Sequence, residues 1–374
     1  MWSLAFDTLV ADRGKLLTAL VGVVFSIVLV NVQGGLFVGL IRRAGLLVDC
    51  SEAVIWCGHK QMHNVDFPRD IPKRWTSRIR AIPGVKRADP YLLGFADMAL
   101  PSGGFEGVVV VGVDRAGMLG QPWNLIEGEP DAIFRPDSII VDATEDDKLE
   151  SPRLGEVREI GGRRARIAAR SHGIMGFLVT PYVFTNVDSA AGYLRKEPSA
   201  CSYILVSLEP GADRDTICAA IRQRLPEAEV LPKEEYSRIS INFWMIRTGL
   251  GISFGAATLL GLLVGMIMVA QTLYTMVLDR LREFGTLKAI GASESQVYAV
   301  LLSQSLAMAL VGSAIGLGLV SVIQRLYHTP RAPIVIPLWL SIGSCMLVLL
   351  ICLASSLLPY QRVRRVDPLM VLQS

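Results

Sequence analysis

The stretch Gln271-Thr-Leu-Tyr-Thr-Met-Val-Leu-Asp-Arg-Leu-Arg-Glu-Phe-Gly-Thr-Leu-Lys-Ala-Ile-Gly-Ala-Ser-Glu-Ser295 is a charged island between two apolar runs. The run before it, from about Ile252 to Leu278, is long enough as a helix to cross roughly 30 Å of hydrocarbon, and so is the run after it, from about Val297 to Ile323. The island places Asp279, Arg280, Arg282, Glu283 and Lys288 among Leu281, Phe284, Leu287 and Ile290. Those apolar positions recur at spacings of three and four, which predicts a short amphipathic helix lying at a membrane face. A connector needs only to be polar. One with a shaped apolar face is offered to something.

Composition supports a chain divided between lipid and water. Of 374 residues, 51% are hydrophobic and 19% charged, with a mean hydropathy of +0.43. Such a chain is too apolar for an ordinary soluble protein and too charged to lie wholly in a bilayer. The net charge of +3, from 37 basic and 34 acidic side chains, gives no field that argues for nucleic acid. Four apolar runs are found, at 16–41, 252–278, 297–323 and 336–358, so both termini are expected on one side. Counting Lys and Arg near the ends of the runs gives Arg13, Lys15, Arg280, Arg282, Lys288, Arg362, Arg364 and Arg365 on one side. The other side has Arg42, Arg43, Arg247, Arg325 and Arg331. The richer side is expected to be cytoplasmic, and it holds the connector. The first run is much longer than a signal-peptide core, and no small-residue cleavage pattern follows it. It reads as a retained anchor.

Arg282-Glu-Phe-Gly-Thr-Leu-Lys-Ala-Ile-Gly-Ala292 resembles the signature after the second membrane helix of FtsX/MacB-type permeases of ABC transporters. Gln271-Thr-Leu-Tyr274 and the amino-terminal Leu4-Ala-Phe and Asp12-Arg-Gly-Lys-Leu-Leu-Thr18 resemble the DevC-like exporter subgroup. The resemblance implies four transmembrane α-helices with a large α+β extracytoplasmic domain, similar to the MacB periplasmic core, between helices 1 and 2. It implies a homodimer in the bacterial inner membrane, termini cytoplasmic, worked by a separate cytoplasmic ABC ATPase. The connector would be the coupling helix, with Phe284, Leu287 and Ile290 as apolar knobs and Arg282, Glu283 and Lys288 on the rim. The DevC-like likeness further implies a periplasmic adaptor, a TolC-type outer-membrane channel and an amphipathic substrate. The alternative is an FtsX-like signalling subunit that activates a cell-wall hydrolase.

The expected organisation follows. Residues 1–15 form an interfacial amphipathic helix, 16–41 the first span, 42–240 the water-facing domain, and 241–278 a stalk and second span. Then come the coupling helix (279–295), the third span (296–325), an outer loop (326–335), the fourth span (336–358) and a tail (359–374). Within 42–240, strands are predicted at Val54–Trp56, Val85–Leu93, Tyr203–Leu208 and Glu229–Leu231, and helices at Arg69–Ile82 and Asp213–Leu225. Two β-α-β units then flank a mostly β insertion at about 94–196, with strands near Val108–Val113, Ser138–Val141 and Arg164–Ala168. Helical pattern starts near Tyr236, which would make the stalk and second span one rigid rod. Ser293-Glu-Ser-Gln296 has the form of a capping box that starts the third span.

Few residues have the pattern of a chemical site. Gly35 with Gly39, Gly251 with Gly255, and Gly312 with Gly316 have the four-residue spacing of helix-packing faces. Gly251-Ile-Ser-Phe-Gly255 also has the form of a nucleophile elbow, but it opens an apolar helix and not a strand-to-helix turn. No phosphate-binding loop and no His-Glu-x-x-His zinc pattern occurs, so neither nucleotide hydrolysis nor a cofactor is expected, and energy must come from a partner. Cys50, Cys57, His59 and His63 fall within fourteen residues without a zinc-finger spacing. Cys50 and Cys57 are a candidate disulfide if the domain meets an oxidising compartment, with free thiols as the alternative. Asn31 and Gln33 are polar at membrane depth and read as interhelical hydrogen-bonding groups.

Overall fold

The computed structural model describes residues 13–279, 293–329 and 332–356. They fall into two compact units, Leu40–Leu250 and the pair of segments Met1–Gly39 with Gly251–Ser374.

The Leu40–Leu250 unit is organised by a sheet whose alternating side chains feed two separate cores. Strand β1 (Ile55–His59) pairs antiparallel with β11 (Tyr203–Leu208) and β12 (Ala228–Pro232). Ile55 and Cys57 point into one core and Trp56 into the other, as period-two geometry requires. The first core is covered by helices α3 (Trp75–Arg80) and α5 (Arg214–Arg224), through Trp75, Ile79, Ile217 and Ile221. The second is covered by α2 (Leu46–Asp49) and α6 (Lys233–Asn242), through Leu47, Val48 and Tyr236. Asp213 caps α5, its carboxylate accepting from the Thr216 amide at 2.9 Å, and Pro226 lies just past its end.

Strand β3 (Val85–Ala99) is 15 residues long and belongs to both halves of the unit. Its first half, Val85–Tyr91, pairs with β11, and its second, Leu92–Ala99, with β4 (Phe105–Val113). From β4 the ladder runs through β9 (Tyr182–Asn186) and β6 (Ser138–Asp142) to β8 (Arg163–Ser171). β8 also pairs the edge strand β5 (Leu125–Glu127). β7 (Val157–Ile160) joins β8 back to β3 through Met98 opposite Ile160, so β3, β4, β9, β6, β8 and β7 close into a ring. Met98, Val108, Val110, Ile139, Ile160, Ile167 and Val183 fill it. A helix not expected from the sequence, α4 (Val187–Tyr193), is capped by Asn186, which accepts from the Ser189 amide at 2.8 Å.

Two expectations are corrected here. The helix predicted over Arg69–Ile82 is confined to Trp75–Arg80, because Ile71 and Pro72 form the short strand β2, paired with β10 (Ala200–Cys201). The stalk is not one rod. After α6 the chain forms a π-helical turn at Phe243–Arg247 and breaks at Gly249, which has φ +73°, before α7 (Leu250–Asp279) starts. That backbone region is costly for any residue with a Cβ.

The other unit holds the apolar helices: α1 (Arg13–Arg43, its residues up to Gly39 in this unit), α7, α8 (Glu294–Tyr327) and α9 (Leu338–Ser355). All four are long and apolar enough to cross a membrane. α1 is the common post. Ala19, Val23 and Ile27 of α1 form one core with Val269 of α7, Met308 and Ala309 of α8, and Val348 and Cys352 of α9.

Candidate functional site

The candidate coupling residues Arg282, Glu283, Phe284, Leu287, Lys288 and Ile290 lie outside the described residues, as do Gly285 and Gly291. The two ends that hold this segment are described. At one end Lys15 of α1 forms an ion pair with Asp279, the last residue of α7. The pair is partly exposed, so its own contribution to stability is about 0–1 kcal/mol, but it fixes the end of α7 beside the start of α1. At the other end the capping box is present: Ser293 Oγ accepts from the Gln296 amide at 3.4 Å, and Gln296 Oε1 accepts from the Ser293 amide at 2.9 Å. The connector is therefore bounded by an ion pair and by a helix cap.

Small residues set how closely the apolar helices approach. The structure places Gly312 and Gly316 of α8 against Val23 and Ile27 of α1, where a Cβ at Gly316 would lie 2.7 Å from Ile27 Cγ2. Gly35 and Gly39 of α1 pack on chain that is not helical: a Cβ at Gly35 would meet Ile336, one at Gly39 would meet the Pro333 carbonyl, and the Val335 amide donates to Gly35 O at 3.1 Å. These two glycines make room for the connection between α8 and α9, where the sequence had suggested another helix. Gly251, in the first turn of α7, is half-buried, while Gly255 is exposed and no described residue comes within 4 Å of a Cβ there. The contact between α1 and α7 uses a different pair of glycines. Gly261 abuts Leu29 and Gly265 abuts Ser26, whose hydroxyl donates to Gly22 O and to Gly261 O, both at 3.1 Å. Gly22-x-x-x-Ser26 and Gly261-x-x-x-Gly265 are small-residue spacings that would have revealed this contact in the sequence.

Polar groups at membrane depth bond within the bundle. Asn31 donates to Ile27 O and to Ser344 Oγ of α9, each at 2.8 Å, and Ser355 donates to Met266 O at 3.4 Å. Ser253 lies inside α7, so the elbow geometry that exposes a nucleophilic serine is absent.

In the Leu40–Leu250 unit the polar feature is at the stalk. Trp244 of the π-helical turn donates its indole N–H to Asp66 Oδ2 at 3.2 Å and stacks on Phe177 at 4.0 Å. Ser240 of α6 donates to Asn64 Oδ1 at 3.1 Å. Burial pushes the Asp66 carboxyl up to about 6, against the lowering effect of the Trp244 bond. The cysteines are all free thiols, which corrects the candidate Cys50–Cys57 disulfide. Ser51, next to Cys50, accepts from Trp56 Nε1 at 3.2 Å on one face of β1, whereas Cys57 faces the opposite core. Among the described residues no group of three or more His, Cys, Asp and Glu side chains converges as a metal site.

An α+β unit set between the first two of four candidate membrane spans, with a short charged connector between the second and third, defines a class of membrane protein with one large domain in water. Residues 255–368 match the FtsX-like permease C-terminal family. Relatives include an uncharacterized ABC transporter permease of Mycobacterium tuberculosis, 26% identical over 296 residues that make up 78% of this chain and 76% of the relative, present in two strains. Another is an uncharacterized ABC transporter permease of Methanocaldococcus jannaschii, 22% identical over 59% of this chain and 58% of that protein. Among solved structures, the periplasmic region of MacB from Actinobacillus actinomycetemcomitans aligns with a TM-score of 0.41 at 8% identity, covering 53% of this chain and 94% of that one. The extracellular domain of the ABC-type transporter YknZ from Gram-positive bacteria aligns at 0.37 and 10%, covering 48% and 98%.

Proposed function

We propose that this chain is the permease subunit of an ATP-driven ABC exporter, itself non-catalytic, with hydrolysis supplied by a separate cytoplasmic ATPase. The observation that carries this reading is the FtsX-like match over residues 255–368, which contains the connector together with most of α7 and all of α8. The relatives named ABC transporter permeases support it. In this reading two copies span the inner membrane with termini and connector in the cytoplasm. Phe284, Leu287 and Ile290 enter a cleft on the ATPase, and Arg282, Glu283 and Lys288 ring the contact. Outside, the Leu40–Leu250 unit works with a periplasmic adaptor and a TolC-type channel, as the DevC-like sequence features suggest.

The bundle contacts favour a relay of motion over an aqueous conduit. Asn31, Ser26 and Ser355 bond to groups inside the bundle, whereas a path for polar solute would turn such groups toward water. Closure of the ATPase would move the connector, and α1 and α7, tied together at Lys15 and Asp279, would carry the motion outward. Replacing Phe284 by Asp is expected to abolish the permease-dependent stimulation of ATP hydrolysis while the protein stays in the membrane. Unchanged stimulation in reconstituted vesicles rejects the docking role.

A further inference from the structure

An aromatic patch is exposed on the Leu40–Leu250 unit around its stalk. Phe67 is 51% exposed, Phe95 45%, Leu178 38% and Ile246 68%. These residues come from four separate segments, yet the first three are contiguous. Phe67 stacks on Phe95 at 5.7 Å and reaches Trp244 at 6.3 Å, and Phe95 and Leu178 line one small hollow with Tyr182. Trp244 is in turn stacked on Phe177. Continuous apolar surface of this kind on a water-facing domain marks a place where something other than water sits.

The chain itself indicates what covers it. The patch is continuous with the cluster of Ala44, Phe177 and Trp244, against which pack Leu40, Ile41, Ile241, Phe243 and Leu250. Leu40 and Ile41 are the last apolar residues of α1, and Leu250 is the first residue of α7. Both helices are long and apolar enough to span a bilayer, so this cluster includes the ends of two candidate spans. Arg42 and Arg247, both exposed, flank it in sequence, and Arg69 follows two residues after Phe67. Aromatic side chains with neighbouring cations are the composition found at the headgroup boundary, where rings sit between acyl chains and water and cations meet phosphate.

We infer that Phe67, Phe95 and Leu178 form a lipid-contacting face, seated in the headgroup boundary of the leaflet on the unit's own side, with Arg42 and Arg247 turned to lipid phosphates. The large domain is then held to the bilayer by its own surface as well as by its two connections. This inference needs only the membrane spans and does not depend on the ATPase.

Photocrosslinking tests it on the full chain. p-Benzoylphenylalanine is placed at position 67, 95 or 178, with 105 as control, because Phe105 is 71% exposed at the other end of the β3–β4 arm. The proteins are reconstituted without ATPase in vesicles of phosphatidylethanolamine and phosphatidylglycerol, irradiated, and weighed by mass spectrometry. The expected result is several-fold more phospholipid adduct from 67, 95 and 178 than from 105. Lipid adducts no more frequent than at 105, or adducts to a second copy of the chain in their place, overturn the inference. Since each substitution exchanges an exposed apolar side chain for an aromatic one, loss of folding is not expected, and an unchanged thermal midpoint of the same variants in detergent verifies it.

Discussion

Asp66 is the carboxylate whose surroundings most oppose its charge, and it holds the first turn of the stalk. It is 8% exposed and receives the Trp244 indole N–H, and burial, with the charge of Asp66 adding to it, raises the Tyr182 and Tyr203 hydroxyls well above their usual range. Both tyrosines stay neutral at all relevant pH, so Asp66 alone titrates in this contact. Its value of about 6 lies above the usual 3.8, which means the folded protein binds the proton more tightly than the unfolded chain. The resulting stability is complete below about pH 4 and is lost as pH rises through about 6. With roughly 1.4 kcal/mol per unit, the loss is about 3 kcal/mol. Asp66→Asn keeps an oxygen for Trp244 and removes the titration. In detergent solution the thermal midpoint of the native protein should fall relative to Asp66→Asn between pH 4 and pH 6.5, by a few degrees. Parallel midpoints across that window would show that the carboxyl is not buried in this way.

At the scale of elements, α1 determines the membrane unit. Its buried positions Ala19, Gly22, Val23, Ser26, Ile27, Val30 and Asn31 recur at intervals of three and four and meet all three other apolar helices. Replacing Gly265 by Val drives a side chain into Ser26 at the α1–α7 contact. Overpacking of this kind costs about 1–3 kcal/mol, and a lowered thermal midpoint with α8 contacts intact is the expected outcome. Gly255→Val, in open space, should leave the midpoint unchanged, and equal effects from the two substitutions would refute this packing. How much of this was legible in the sequence depends on contrast. The four apolar runs stand out because length and hydropathy suffice, and the strand at Tyr203–Leu208 and helix α5 stand out because capping and periodicity agree. Which face of α1 meets which neighbour was hidden, since a helix apolar all round carries no moment and only small-residue spacing distinguishes its sides. Helix α4 was missed because it is seven residues long inside a run of strands, although Asn186-Val-Asp-Ser189 has the residues of an N-cap. The continuation of β3 to Ala99 depends on its partner β4, a non-local pairing that no local pattern reports. The connector's apolar spacing was legible in the sequence, and the contact it is proposed to make belongs to another chain.

For the whole molecule, the two connections between the units differ in stiffness. α1 is one helix from Arg13 to Arg43, so it passes without a break from Gly39 into Leu40. The second connection runs through a π-helical turn and the positive-φ Gly249 before α7 begins. A helix transmits displacement along its axis because each hydrogen-bonded turn fixes the next, whereas a glycine in that backbone region is a natural place for the chain to swivel. If ATP-driven motion reaches the Leu40–Leu250 unit, α1 should deliver it and Gly249 should absorb the change in angle. Two glycines inserted between Arg42 and Arg43 are then expected to uncouple the unit, and the same insertion after Gly249 should be tolerated. With the partner ATPase present, ATP-dependent change in amide hydrogen exchange across residues 44–240 is the readout, and stimulation of ATP hydrolysis serves as the control that the connector is still engaged. Loss of the exchange response from the Gly249 insertion, with the α1 insertion silent, would assign the delivering role to α7. Equal loss from both would mean that the two connections move as one.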